Sequence, residues 1–258
     1  MFSSLTTLNN IAKDSNSSGA SVPTQTWGSA FAGSIQNTNN RIIRSTMSST
    51  IGTGKFTIEF WMYAPSSSTG VAGIFGISAY DSNSSSNGRF TCFYNFPGIT
   101  GRLMLQTSYN ANVMIVSNAI PTNAWTHVAI TRDASNVVKI YVNGVASTYT
   151  ATSNTFPSAT WNHNFNNGRI CLFRDYYDLD QEYFIGSIVG FSISNDIWYS
   201  TNFIPSTNML NNDTSKILLL NSTSSGAILT DSSTSNNTFV VYTGGTQTGS
   251  MTYNTAHP

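Results

Sequence analysis

The stretch Ala124–Val145, AWTHVAITRDASNVVKIYVNGV, decides the fold. Val128 and Ile130 alternate with His127, Ala129 and Thr131, and Val138, Ile140 and Val142 alternate with Val137, Lys139 and Tyr141. A two-residue period puts each apolar set on one face of a half-buried strand. The two sets share a face only if the loop around Asp133–Ser135 holds an odd number of residues or a bulge. The expected register sets Ile130 opposite Val138 and Val128 opposite Ile140, with His127 opposite Tyr141 on the other face. Asn143-Gly144 signals a second reversal, because both central positions of a type I′ turn need positive φ.

Upstream, Lys55–Tyr63 (KFTIEFWMY) alternates Phe56, Ile58, Phe60 and Met62 with Thr57, Glu59, Trp61 and Tyr63. VAGIFGISAY, RFTCFYNF and GRLMLQTSY continue the strand pattern, separated by DSNSSSNG and Pro97-Gly98. Short strands at this spacing with turn clusters between them argue for a sandwich or barrel. No useful length carries a 3.6-residue apolar period, and a short helical turn near Ser194–Thr201 is the one helical expectation. Residues 1–50 are Ser-, Thr- and Asn-rich and read as edge strands and loops. The chain is expected to form one domain over 1–258: N-terminal strands and loops 1–50, core 51–220, closing strand and C-terminal extension 221–258.

Composition excludes several classes. Only 9% of the 258 residues are charged, and the formal net charge is zero. Ser, Thr and Asn make up roughly two residues in five, so hydroxyls and amides carry the surface polarity, far from usual usage. Aromatics reach 12%, which argues against disorder. Nucleic acid requires a basic stripe, and the nearest basic grouping is Arg41 with Arg44. No stretch has the length of a membrane span. MFSSLTTLNN lacks the basic and apolar regions of a secretory signal, so Sec-type secretion is not expected. Cys92 and Cys171 sit in strand-like segments and read as buried thiols, although spacing leaves one disulfide open.

The ordered set FTIEFWMY, IPTNAWTHVAITRDASNVVKIYVNGV and YFIGSIVGFSIS resembles the laminin G-like domains of the concanavalin A-like lectin and glucanase superfamily. The likeness covers about residues 55–220. It implies an all-β fold, a two-sheet antiparallel jelly-roll sandwich. A tail with Tyr199, Asn202, Phe203, Pro205, Leu218–Leu220 and Asp231–Ser233 is similar to laminin G-like modules of phage and large-virus structural proteins. Such modules carry basic residues before that tyrosine, where this chain has Asn195, Asp196 and Ile197.

The glucanase branch works with two carboxylates flanking the scissile bond. Asp178, Asp180 and Glu182 in DYYDLDQEYF would share a face as strand positions, about 6.5–7 Å apart at i and i+2. The leading Glu of the family's acid cluster is missing, so no catalytic residue is assigned and the protein is expected not to be an enzyme. The same loop offers Asp175, Asp178, Asp180 and Glu182 as hard oxygen ligands for calcium, the one candidate cofactor. Tyr176 and Tyr177 could stack on a sugar, and Trp61 is a further glycan-binding candidate. A packing role competes for Trp61, as it does for Trp125 and Trp198. No H-E-x-x-H, G-x-S-x-G or P-loop pattern occurs.

These features lead to the expectation of a viral structural protein, such as a capsid decoration, fibre or tail component, at the virion surface. Its partners would be other virion proteins and further copies of itself, with cell-surface glycans secondary and neither nucleic acid nor membrane involved. A free, extracellular carbohydrate-binding lectin or adhesin is the alternative, and a glycoside hydrolase the third reading.

Overall fold

A computed structural model describes residues 27–49, 51–78, 90–107, 114–148, 155–156, 158–160, 168–174, 182–243, 246–247 and 251–258. Among them are β1 (Trp27–Ala30), β2 (Ser34–Asn37), β3 (Arg41–Met47), β4 (Phe56–Tyr63), β5 (Ala72–Ser78), β6 (Phe90–Tyr94) and β7 (Arg102–Thr107). Then come β8 (Met114–Ala119), β9 (Trp125–Arg132), β10 (Val137–Val142), β11 (Val145–Ala146), β12 (Thr155–Phe156), β13 (Ser158–Thr160) and β14 (Gly168–Leu172). The chain continues through β15 (Gly186–Ser194), β16 (Asn208–Leu210), β17 (Lys216–Leu220), β18 (Phe239–Thr243), β19 (Thr246–Gln247) and β20 (Thr252–Asn254). The described residues contain no helix.

Two nine-stranded sheets face each other. Sheet 1 runs β11-β10-β9-β4-β15-β2-β20, with β13 on β10 and β17 on β15. Sheet 2 runs β12-β8-β7-β6-β5-β14-β3-β18-β19. Among the described strands all pairings are antiparallel except β12 with β8. The expected all-β sandwich is therefore the observed fold. Strands from residues 1–50 do appear, but β2 and β3 are interior strands of sheets 1 and 2, not edges.

Strand alternation builds the core. Phe56, Ile58, Phe60 and Met62 of β4 point inward beside Val128 and Ile130 of β9. From sheet 2 they meet Phe75, Ile77, Phe90, Leu105, Ile170 and Leu172. Phe60 stacks on Phe191 at 5.5 Å and meets Phe75 edge-on at 6.1 Å, the offset geometries that ring quadrupoles favour. On β15 a bulge shifts the pairing with β4 between Val189 and Ser192. Gly190 has φ +65° there, and a Cβ would come within 2.8 Å of the Phe31 ring. The bulge changes the phase, so that Ile188, then Phe191 and Ile193, all face inward.

The β9–β10 hairpin corrects the expected register. Ile140 pairs with Ile130, Val142 with Val128 and Val138 with Arg132. Each partner lies two residues from its expected place, which preserves every face. His127 consequently faces Asn143, whose N–H donates to its carbonyl at 2.8 Å and whose Oδ1 accepts its N–H at 2.9 Å. Tyr141 pairs with Ala129. The loop is odd in length, as required: Asp133 N–H donates to Val137 O at 3.1 Å, enclosing three residues. Asn136 takes φ +63°, and Asp133 Oδ1 accepts the N–H groups of Ser135 and Val137. The Asn143-Gly144 turn forms as expected, with φ of +48° and +76°. Cys92 and Cys171 are buried free thiols; Cys92 faces the core and Cys171 the outer side of sheet 2.

Candidate functional site

The two sheets leave two outer faces. On sheet 1 the outward positions of β4 are Thr57, Glu59, Trp61 and Tyr63, and residues 195–207, joining β15 to β16, cross over them as a strap. Thr57 Oγ1 donates to Asp196 O at 2.8 Å and accepts the Trp198 N–H at 2.9 Å. Tyr199 OH donates to Glu59 Oε2 at 2.7 Å, and the Trp61 indole N–H donates to Ser206 O at 3.1 Å. Phe203 N–H reaches Gly144 O at 2.9 Å, and Asn202 Oδ1 accepts the Ala146 N–H. The helical turn expected near Ser194–Thr201 is absent, because side chains take N–H groups that a helix would use. Thr57 holds that of Trp198, and Asp196 Oδ1 that of Ile197.

Beneath the strap sits a buried polar cluster. Glu59 is 1% exposed, with His127 Nε2 3.5 Å from its Oε2. Burial pushes the Glu59 carboxyl pKa up, but the hydrogen bond from His127, the Lys216 charge and the Tyr199 hydroxyl outweigh it and hold it below the ordinary value. Lys216 is buried too; its Nζ lies 3.1 Å from Ser194 Oγ, 3.7 Å from Asp213 and 4.3 Å from the Trp198 ring centre. Burial depresses its pKa, against the pull of Glu59 and Asp213. Tyr199 and Phe203 stack above, and Phe203 packs edge-on to His127 at 5.6 Å. Glu59 and Lys216 each meet a partner of opposite character inside the protein, His127 and Asp213, and Glu59 lies buried beneath the strap.

The sequence candidates fall out as follows. Trp61 is half-buried, edge-on to His127 at 5.2 Å and tied to the strap. Asp175, Tyr176, Tyr177, Asp178 and Asp180 lie outside the described residues. Glu182 is half-buried, and its carbonyl accepts the Gly73 N–H at 2.8 Å. Among the described residues no three His, Cys, Asp or Glu side chains come together as a metal site. The stems of that acidic loop reach the outer side of sheet 2, where Arg174 lies 5.1 Å from the Tyr183 ring centre and Tyr183 packs with Ile42, Cys171 and Tyr242.

Next to this cluster, the outer face of sheet 2 carries an open groove of about 540 Å³. Three adjacent strands build its floor. Ile43 of β3, Leu172 of β14 and Val241 of β18 turn inward, so Arg44 and Thr46, Arg169, and Val240 and Tyr242 turn outward. Arg44 pairs with Cys171 and Arg169 with Thr46, which sets the two arginines at diagonal positions on adjacent strands. The Arg44 guanidinium carbon lies 5.1 Å from the Tyr242 ring centre, a stacking that fixes the planar head.

One wall is a tightly bonded turn. Asp231 accepts N–H groups from Leu219, Ser233 and Asn237, the Ser233 hydroxyl and the Asn237 amide. Asn237 Oδ1 accepts the Ser48 N–H at 2.8 Å, and Ser48 Oγ donates to Ser235 O. Sequence reasoning missed Arg169 and Tyr242 as site residues. The outward phase of Arg44 and Thr46 in RIIRSTM was readable, but not that β14 and β18 would flank them.

The sequence model of the concanavalin A-like lectin/glucanases superfamily matches residues 37–198. The chain belongs to this superfamily. Among solved structures, it is similar to a protein of Bacteroides ovatus provisionally described as a carbohydrate binding protein. Identity is 16% and the TM-score 0.59, over 87% of this chain and 60% of that one. It thus spans about 60% of that relative's length. A heptameric SAP-like pentraxin of Limulus polyphemus aligns at 16% identity and TM-score 0.43, over 66% of this chain and 76% of that one. The CBM40 module of a Ruminococcus gnavus IT-sialidase aligns at 13% and 0.42, over 69% and 93%. Identities this low speak for the fold alone. No curated protein matches the chain.

Proposed function

We propose that this superfamily member is a non-catalytic carbohydrate-binding module whose ligand lies in the sheet 2 groove. The observation that carries this reading is the contrast between faces. Sheet 1 is covered by the strap, while sheet 2 holds an open groove lined by hydroxyls, amides, guanidinium groups and a phenol ring. That lining suits a sugar, whose hydroxyls need paired donors and acceptors. The carbohydrate-binding description of the Bacteroides ovatus relative supports the same class. A glycan array probed with the isolated protein tests it. Binding should appear and should weaken about tenfold in Tyr242→Ala; an array with no signal would remove the reading.

A place in a virion, as a decoration, fibre or tail component, is supported by the tail resemblance and the Ser-, Thr- and Asn-rich composition. Tyr199, Asn202 and Phe203 of that motif hold the strap, and Asp231 and Ser233 close the groove wall. Their internal contacts account for them without a further copy or a virion partner. Co-purification with virus particles is the observation that would restore assembly as the leading role.

A further inference from the structure

Some polar side chains of the groove are committed to the fold and others are not. Asn237 is tied to Ser48, Asp231 and the Ile217 carbonyl. Ser48 Oγ donates to Ser235 O at 3.1 Å, and Ser235 Oγ donates to Ser49 Oγ at 3.0 Å. Asn236, Thr46 and Thr238 line the same groove, and all three are exposed. Among the described residues, their side chains have no hydrogen-bond partner. We infer that Asn236 is the specificity-determining residue of the groove, its amide pairing with two adjacent hydroxyls of a sugar ring while Thr46 and Thr238 bond the hydroxyls beside them. This rests on the carbohydrate-binding reading above.

The backbone holds Asn236 in place before any ligand arrives. Its φ is +45°, in the left-handed region that Asn enters more readily than most residues. Its N–H donates to Ser233 O at 3.2 Å. The next residue, Asn237, is buried, with both its amide nitrogen and its amide oxygen bonded. A side chain carried on so fixed a turn loses little freedom on binding. A carboxamide sets an acceptor and a donor side by side. Two neighbouring sugar hydroxyls present the matching pair, one donating and the other accepting. A ring that lacks either hydroxyl satisfies only half of the amide.

Across the floor, Phe239 pairs with Ser45, and Arg169 pairs with Thr46. Thr238 therefore stands beside Thr46 on the outward side. Each of these hydroxyls can both donate and accept. The turn and two adjacent strands thus bring an amide and two hydroxyls to one groove of about 540 Å³.

The test is calorimetric titration of the full chain with maltotriose, cellotriose and mannotriose. Each is run beside its per-O-methylated counterpart, and monodeoxy analogues follow for those that bind. The expected result is that at least one free trisaccharide binds, and that methylation weakens it about tenfold or more. Asn236→Gly keeps the left-handed backbone and removes only the amide. It should weaken binding about tenfold and leave the melting temperature unchanged. Deleting either of two adjacent hydroxyls should weaken binding to the native protein and have no further effect in Asn236→Gly, the coupling that a direct contact requires. Should Asn236→Gly melt early, Thr46→Val and Thr238→Val remove hydroxyls at exposed positions and should each weaken binding about threefold.

Binding of none of the sugars would overturn this inference and the carbohydrate reading together. Sugars that bind Asn236→Gly at native strength, or deoxy losses that persist in full in it, would overturn the role of Asn236 and spare the carbohydrate reading. Native binding by both valine variants would do the same.

Discussion

The outer faces of the two sheets differ in what covers them. On sheet 1, Glu59, His127 and Lys216 are buried, with Glu59 3.5 Å from His127 and Lys216 3.7 Å from Asp213. On sheet 2, Arg44 and Arg169 line an open groove. Both faces arise from the same strand alternation, so the difference lies in what the chain lays across them. A buried charge must be matched inside the protein, since an unmatched one costs several kcal/mol. The sheet 1 face is thus covered by its own chain, and the sheet 2 face keeps an open groove, where we place the ligand.

The sharpest way to break this contrast is Glu59→Ala. It leaves His127 and the Tyr199 hydroxyl buried without their carboxylate, while Lys216 keeps Asp213, and should cost about 3–5 kcal/mol in denaturant unfolding. The same group sets a pH dependence. Its folded pKa is depressed, so its contribution is complete above the ordinary carboxylate value of 4.5 and is lost as pH falls through the lowered one. Glu59→Gln should flatten that acid limb in a thermal-melt series; an unchanged limb would detach Glu59 from it.

Gly144→Ala tests the strap from its other end. Gly144 has φ +76°, and a Cβ would clash with the Phe203 carbonyl. We expect a loss of about 2–3 kcal/mol, with faster proteolysis near residues 195–207. Tyr199→Phe removes only the hydroxyl bonded to Glu59 and should cost about 1–2 kcal/mol.

Much of the frame was legible in the sequence, and the reasons are local. Alternation in KFTIEFWMY and the Asn143-Gly144 turn depend on neighbouring residues and came out as read. The β9–β10 register was misplaced by two because such a slip leaves every side chain on the same face, so the apolar pattern cannot distinguish the two pairings. What decided it was the left-handed Asn136 closing a three-residue loop. The strap announced itself only indirectly, through Thr57, Glu59 and Trp61 on a strand whose outer side needed a partner. The groove was the least legible part. Arg44, Arg169 and Tyr242 are far apart in sequence and meet only because β3 pairs with both β14 and β18. The acidic-loop candidates, Asp175, Asp178 and Asp180 with Tyr176 and Tyr177, lie outside the described residues and remain proposals.

The central claim is that the ligand lies on sheet 2, not sheet 1. Amide hydrogen exchange of the full chain, with and without a saccharide that binds it, tests this most directly. The account predicts new protection in β3, β14 and the 235–242 segment, with residues 195–207 unchanged. Protection confined to residues 195–207 and β4 would contradict it.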